Sequence, residues 1–278
     1  MGNVLRHVRG ESQRNIMRTL NALSGKYSLW ELWQDWITMS AISIANVFDG
    51  PYRKEREEMY SSRAARYSAS ELKAFADMLF ELVADMDRDP DQDFLGELFM
   101  SLDLGNEWRG QFFTPYDVCR MMASMSISDD LNAKIESQGW VSVNDPACGA
   151  GALLLAFANE CLRHGINFQT SVLFVAQDVD FLAGMMCYIQ MSLLGCPGYV
   201  VIGNTLTEPS TSRDARGLLP AGGGNVWYTP MYYSQIWSWR RAFATVQLLI
   251  SVPAQPDGHK PEYTSPVHED KHGQLSLF

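Results

Sequence analysis

Long apolar runs are missing from this sequence. No stretch of about 18 apolar residues occurs, which predicts that no segment spans a membrane. Cysteine is sparse, with five in 278 residues (Cys119, Cys148, Cys161, Cys187 and Cys196). No C-x-x-C pair and no histidine at metal-ligand spacing accompanies them, so neither a disulfide framework nor a metal site is predicted, and the thiols read as reduced and mostly buried in a cytoplasmic protein. The opening Met-Gly-Asn-Val-Leu-Arg lacks the apolar core of a secretion signal. Positive charge is also short. Lys and Arg number 22 against 32 Asp and Glu, net −10, which argues against a free-standing nucleic-acid binder because phosphate contact needs a basic surface.

What is present supports a substantial core: 46% of residues are hydrophobic and 19% charged, as in an ordinary globular chain with one large or two modest domains. The charge is uneven. Residues 1–66 carry 10 basic and 7 acidic side chains, residues 67–138 carry 5 and 15, and residues 139–278 carry 7 and 10. Any nucleic-acid face would therefore draw on Arg6, Arg9, Arg14, Arg18 or the Arg53–Arg66 group, though a solvated helix face explains these charges equally well.

The first 59 residues pattern as helix, and Trp30, Trp33 and Trp36 at three-residue spacing read as core. Ser68 followed by Glu71 is a capping box. Behind it Leu72, Phe75, Ala76, Leu79, Leu82, Val83 and Met86 keep helical spacing, and the acidic stretch 85–93 reads as a linker. Thr114-Pro115 with Asp117 predicts a helix start, whose buried face would be Val118, Met121, Met122 and Met125. Strands and helices then alternate: strand 140–145, helix 151–163, strand 172–177, helix 181–194, strand 199–202. That order predicts a parallel α/β sheet with a ligand crevice at the strands' carboxyl ends. The pivotal stretch is Val141-Ser-Val-Asn-Asp-Pro-Ala-Cys-Gly-Ala-Gly-Ala, a strand, a glycine turn and a helix start, where glycine lets the backbone approach a ligand.

Four segments, in order, resemble a known family. Asp145-Pro146-Ala147-Cys148-Gly149-Ala150-Gly151 looks like the S-adenosylmethionine loop of DNA adenine-N6 methyltransferases, most closely the modification subunit of type I restriction systems. Gly110-Gln-Phe-Phe-Thr-Pro115 resembles the segment that abuts the methionine end of the cofactor. Gln177-Asp178-Val179-Asp180 and Gly203-Asn204-Thr205-Leu206 resemble the second and third cofactor strands. The resemblance covers roughly residues 93–206. It implies cofactor binding by Phe113, Thr114, Pro115, Asp145, Pro146, Ala147, Gly149, Gly151, Asp178 and Asn204. Asp178, or alternatively Asp180, would accept from the ribose hydroxyls, and the Asn204 carbonyl would meet the adenine amino group.

The family's acceptor chemistry rests on [N/D/S]-P-P-[Y/F/W] after a fourth strand, where a flipped adenine is held. The nearest match is Thr229-Pro230-Met231-Tyr232, after a strand-like 225–228. Threonine there is a poor substitute for a side-chain carbonyl. A helix over 234–243 and an apolar strand over 246–252 follow. Residues 253–273 read as a flexible tail. It ends in Gln274-Leu275-Ser276-Leu277-Phe278, which resembles a bacterial sliding-clamp-binding peptide through Gln274, Leu275, Leu277 and Phe278.

The expected architecture is thus a helical N-terminal domain (1–92), a truncated Rossmann-like methyltransferase domain (93–252) and a tail (253–278). Two functions remain open. One is an S-adenosylmethionine-dependent DNA adenine-N6 methyltransferase that takes DNA recognition from a specificity partner. The other is a catalytically silent relative of phage or mobile-element origin, acting through the sliding clamp.

Overall fold

The computed structural model describes residues 10–48, 50–102, 113–221 and 223–251, and the backbone of 268–269 and 275–276. Helices come first: α1 (Glu11–Leu23), α2 (Leu29–Phe48), α3 (Arg53–Ala64), α4 (Ala69–Arg88), α5 (Phe94–Ser101), α6 (Tyr116–Ser126) and α7 (Asp129–Gln138). Strands and helices then alternate as β1 (Val141–Asp145), α8 (Ala152–Arg163), the short α9 (Phe168–Ser171), β2 (Val172–Asp178), α10 (Phe181–Leu194) and β3 (Gly198–Ile202). After a long loop come β4 (Val226–Tyr228), a 3-10 turn at Pro230–Tyr233 and α11 (Gln235–Ser251). A two-residue pair, β5 (His268–Glu269) with β6 (Leu275–Ser276), comes last.

The sheet order is β1-β2-β3-β4, with β1, β2 and β3 parallel and β4 antiparallel to β3. The expected parallel α/β core is therefore present as a small sheet in a mixed α/β fold. β2 reads Val-Leu-Phe-Val-Ala-Gln and is buried on both faces, as a strand in the interior of a parallel sheet must be. One face carries Val172, Phe174, Ala176 and Val200 into a core shared with α2, α8 and α10. The other carries Leu173, Val175, Tyr199, Val201 and Val226 against Leu218, Tyr232 and Trp237.

The N-terminal helices form by local rules and then join this core. At α4 both halves of the capping box are made: Ser68 accepts from Glu71 N–H, and Glu71 takes the Ser68 N–H at 2.7 Å. Trp33 and Trp36 are fully buried. α2 packs on α10. The chain divides into compact units of Met1–Ala244 and Thr245–Phe278.

Several expectations are corrected. The stretch 85–93 ends α4, at Arg88, as expected, but it is packed rather than loose: Asp85 and Asp93 are buried, and Asp93 caps α5 by accepting from Gly96 N–H at 3.0 Å. α6 buries Tyr116, Cys119 and Ala123, while Val118, Met121, Met122 and Met125 are exposed; small side chains let α6 lie close on α8. Pro115, not Thr114, occupies the cap position. The apolar run expected as a strand over 246–252 continues α11 through Ser251. Arginines of the Arg53–Arg66 group are engaged within the fold. Arg56 is buried over the Trp227 ring at 4.0 Å and donates to Val226 O, while Arg63 and Arg66 pair with Asp35 at 3.3 and 2.8 Å. Arg6 and Arg9 lie outside the described residues.

Candidate functional site

The glycine turn after β1 is built by two residues that only glycine suits. Gly149 has φ +54° and Gly151 φ +95°, where L side chains are strained. Space forbids a side chain as well. A Cβ on Gly149 would sit 2.9 Å from the Phe113 ring, and one on Gly151 would sit 2.8 Å from Cys187 Sγ. Phe113 is held in turn by Phe99, with ring centroids 5.4 Å apart. The ring therefore forms one wall of a crevice whose floor is the turn. Phe113, Thr114, Asp145, Ala147 and Gly149 line it, along with Cys119, Met122, Cys148 and Leu153. Pro115 instead lines a neighbouring cavity with Asp93, Glu97 and Ser101.

At the end of β2, Asp178 reaches across to the turn. Its Oδ2 accepts the Gly149 N–H at 2.8 Å and its Oδ1 accepts the Asp180 N–H at 2.8 Å. Each oxygen keeps a lone pair for a ligand donor. Asp180, the alternative ribose partner, is occupied as the cap of α10, accepting from Ala183 N–H at 2.9 Å. Asp145 lies beside this arrangement, with Oδ1 accepting from Ala147 N–H at 3.2 Å. Burial raises its pKa, and the nearby Asp178 charge raises it further, against the backbone bond that lowers it.

The third element of the rim is the loop after β3. Asn204 is exposed and its carbonyl oxygen accepts from Leu206 N–H at 2.9 Å; Thr205 Oγ1 donates to Pro146 O at 2.6 Å. One buried amide fixes this loop from beneath. Gln177 donates to Gly203 O (3.3 Å) and Glu208 O (2.9 Å) and accepts from Ser210 N–H (2.9 Å). A second buried amide, Gln190, plays the same part under the glycine turn. It donates to Ala150 O (2.9 Å) and Asp93 Oδ1 (2.8 Å) and accepts from Leu95 N–H (3.0 Å). From sequence neither glutamine has a role of its own; each is a polar residue in a mostly apolar strand or helix, which is the signal that marks it.

The structure does not bring Thr229, Pro230 and Tyr232 to this crevice. Thr229 is fully buried. It donates to Cys196 O at 2.7 Å and accepts from Gly198 N–H at 3.0 Å, at the amino end of β3. Ile202, beside Asp178, lies four residues further along that strand, about 13 Å at the usual rise. Pro230 opens the 3-10 turn, and buried Tyr232 donates its hydroxyl to Leu218 O at 2.8 Å. These residues bind the sheet together, and the expected acceptor role is corrected accordingly. Gln274, Leu277 and Phe278 lie outside the described residues, as do Gly110, Gln111 and Phe112. Leu275 is placed only by its backbone pairing with Glu269.

Residues 100–226 match the family model described as N-6 DNA Methylase. The matched span holds the residues lining the crevice, the glycine turn and the loop after β3, and stops short of Thr229. The region is thus similar to DNA N6-methyltransferases. A search of curated proteins finds no match to the chain. Among the described residues no helix is long and apolar enough to cross a membrane.

Proposed function

We propose that the crevice binds S-adenosylmethionine and that the chain serves methyl transfer to the N6 of adenine in DNA, as a modification-subunit-like component that takes DNA recognition from a partner. One observation carries the cofactor reading. A carboxylate at the carboxyl end of β2 is hydrogen-bonded to the first glycine of the turn, so an acceptor for ribose hydroxyls and a close backbone approach are built as one piece. Phe113 and Thr114 supply the wall at the methionine end, and Asp145 and Asn204 flank the nucleoside. When bound, the cofactor supplies an activated methyl group; the protein residues bind and orient it and exclude water.

The test is a calorimetric titration of the full chain with S-adenosylmethionine beside the Asp178→Ala variant, followed by transfer of labelled methyl groups to unmodified DNA. Binding that is lost in the variant supports the crevice. Absence of heat and of thermal shift in both proteins overturns it.

The position of Thr229 at the far end of β3 favours a second reading, in which the chain keeps the cofactor crevice without its own acceptor chemistry. Cofactor binding with no labelled DNA, with or without candidate specificity partners, would select it. In either reading the terminal Gln274–Phe278 peptide is proposed to dock on the bacterial sliding clamp and raise the local concentration of the protein on replicating DNA. Replacement of Leu277 and Phe278 by alanine should then abolish co-elution with the clamp, and unchanged co-elution would remove that part of the proposal.

A further inference from the structure

Helix α11 is fastened through Trp237, Arg240 and Arg241. Trp237 is fully buried, donates its indole N–H to Gln169 O at 2.7 Å, and packs edge-on against Trp140 with ring centroids 5.7 Å apart. Ala244, two turns on, packs into the same cluster. Arg240 donates to Gly139 O at 2.8 Å and also to Thr170 O, and Arg241 donates to Tyr232 O and lies over the Tyr232 ring at 4.0 Å.

The other side carries Ile236, Trp239, Phe243, Val246 and Ile250, exposed by 38, 61, 67, 52 and 77%, with Leu249, exposed by 72%, at its edge. Successive members are three, four, three and four residues apart. That alternation is the a and d pattern of a coiled-coil seam, with Leu249 beside it at a g position. In the same register Trp237 and Ala244 take b positions and Arg241 an f position, away from the stripe, while the anchoring Arg240 takes an e position at its edge.

We propose that this stripe pairs with α11 of a second copy of the chain in a short two-helix seam. Three observations favour a second copy as the occupant. A seam of period 3.5 is self-complementary, since a two-fold axis sets the same stripe against itself. The chain's net charge of −10 does not oppose the contact locally, because the only charges in α11 are Arg240 and Arg241 and residues 242–251 carry none. The area suffices as well. Two copies of the stripe, each with two aromatic rings, would remove on the order of 1,000 Å² from water, about what a specific interface requires. A free helix of this length would be marginal in water, but the Trp237 and Arg240 contacts hold its first turns ready for pairing. This inference stands apart from the cofactor reading.

Sedimentation equilibrium of the full chain over a range of concentrations decides it. The expected result is a species of twice the 31.3 kDa chain mass that dissociates on dilution. Phe243→Glu combined with Val246→Glu should give a monomer with unchanged helical circular dichroism and unchanged S-adenosylmethionine titration. Trp239→Gln should raise the dissociation constant at least tenfold, and it decides the matter should the double variant fail to fold. A monomeric wild type at all concentrations overturns the proposal and assigns the stripe to a different partner. A dimer indifferent to both variants overturns it too, since the contact would then lie elsewhere.

Discussion

Asp178 and Gly149 are joined by a 2.8 Å hydrogen bond from the glycine N–H to the carboxylate. The end of β2 therefore holds the turn that follows β1, although 29 residues separate them in sequence. With Asp180 N–H on the other oxygen, the carboxylate is oriented before any ligand arrives. Asp178→Ala should remove both bonds and one ligand acceptor. Bonds to a charged group contribute roughly 1.5–3 kcal/mol each, so affinity for S-adenosylmethionine should fall at least tenfold and the unfolding midpoint should drop as well. Isothermal calorimetry with thermal denaturation reads both.

Gly149→Ala meets two obstacles at once, a positive φ and the Phe113 ring. The backbone alone costs about 1–2 kcal/mol, and the ring contact adds to it. Phe113→Leu should recover part of the loss in Gly149→Ala and little in the wild-type background. A double-mutant cycle by urea unfolding measures that coupling.

Asp93 makes stability depend on pH. Burial holds its pKa up to about 6, against an ordinary 3.8, while the bonds from Gln190 and Gly96 pull the other way. A carboxyl whose folded pKa is raised favours the protonated state. Its contribution is full below the unfolded pKa and is lost as pH rises from about 4 through about 6, in all roughly 3 kcal/mol. Both bonds fall on the same oxygen, Oδ1, so the amide oxygen of an asparagine at this position can keep them. Asp93→Asn should flatten the pH dependence of unfolding across that window and match or exceed wild-type stability above it.

Thr229→Val tests the correction at the 3-10 turn. The hydroxyl loses its bonds to Cys196 O and Gly198 N–H, at a cost of about 1–3 kcal/mol for the buried groups left unpaired. Cofactor affinity should stay within twofold of wild type. A large loss of affinity without a loss of stability would return Thr229 to the site.

Much of this was legible in the residues. The strands and helices from Val141 to Ile202 announce themselves because apolar runs, glycine turns and helical spacing all agree. Asp145, Gly149 and Asp178 were readable as a site because a glycine turn and an acidic strand end belong to one kind of crevice. α6 was misread for a physical reason. It carries two apolar stripes, and the larger one, with Met121, Met122 and Met125, is the more hydrophobic. Close approach to α8 selects the smaller one, Cys119 and Ala123, and no local pattern encodes that choice. The run Val246–Ile250 was misread because β-branched and leucine side chains suit strand and helix alike; continuity with an anchored helix decided the matter. Thr229 was misplaced because its motif was matched without the strand order. β4 pairs antiparallel on the far side of β3, and pairing order is a property of the whole sheet.

Gln177 grips the loop after β3 by Gly203 O, Glu208 O and Ser210 N–H, all backbone atoms. The path of the segment between them is therefore set by a side chain outside it together with Asn204 and Thr205 within it, and the exposed Leu206, Thr207 and Glu208 add the long Thr207 Oγ1 bond to Asn204 O (3.4 Å). The segment is in effect an interchangeable cassette on a fixed mount. A library varied at those three positions, with Gln177 and Asn204 left alone, would reshape the mouth of the crevice while its frame stays folded.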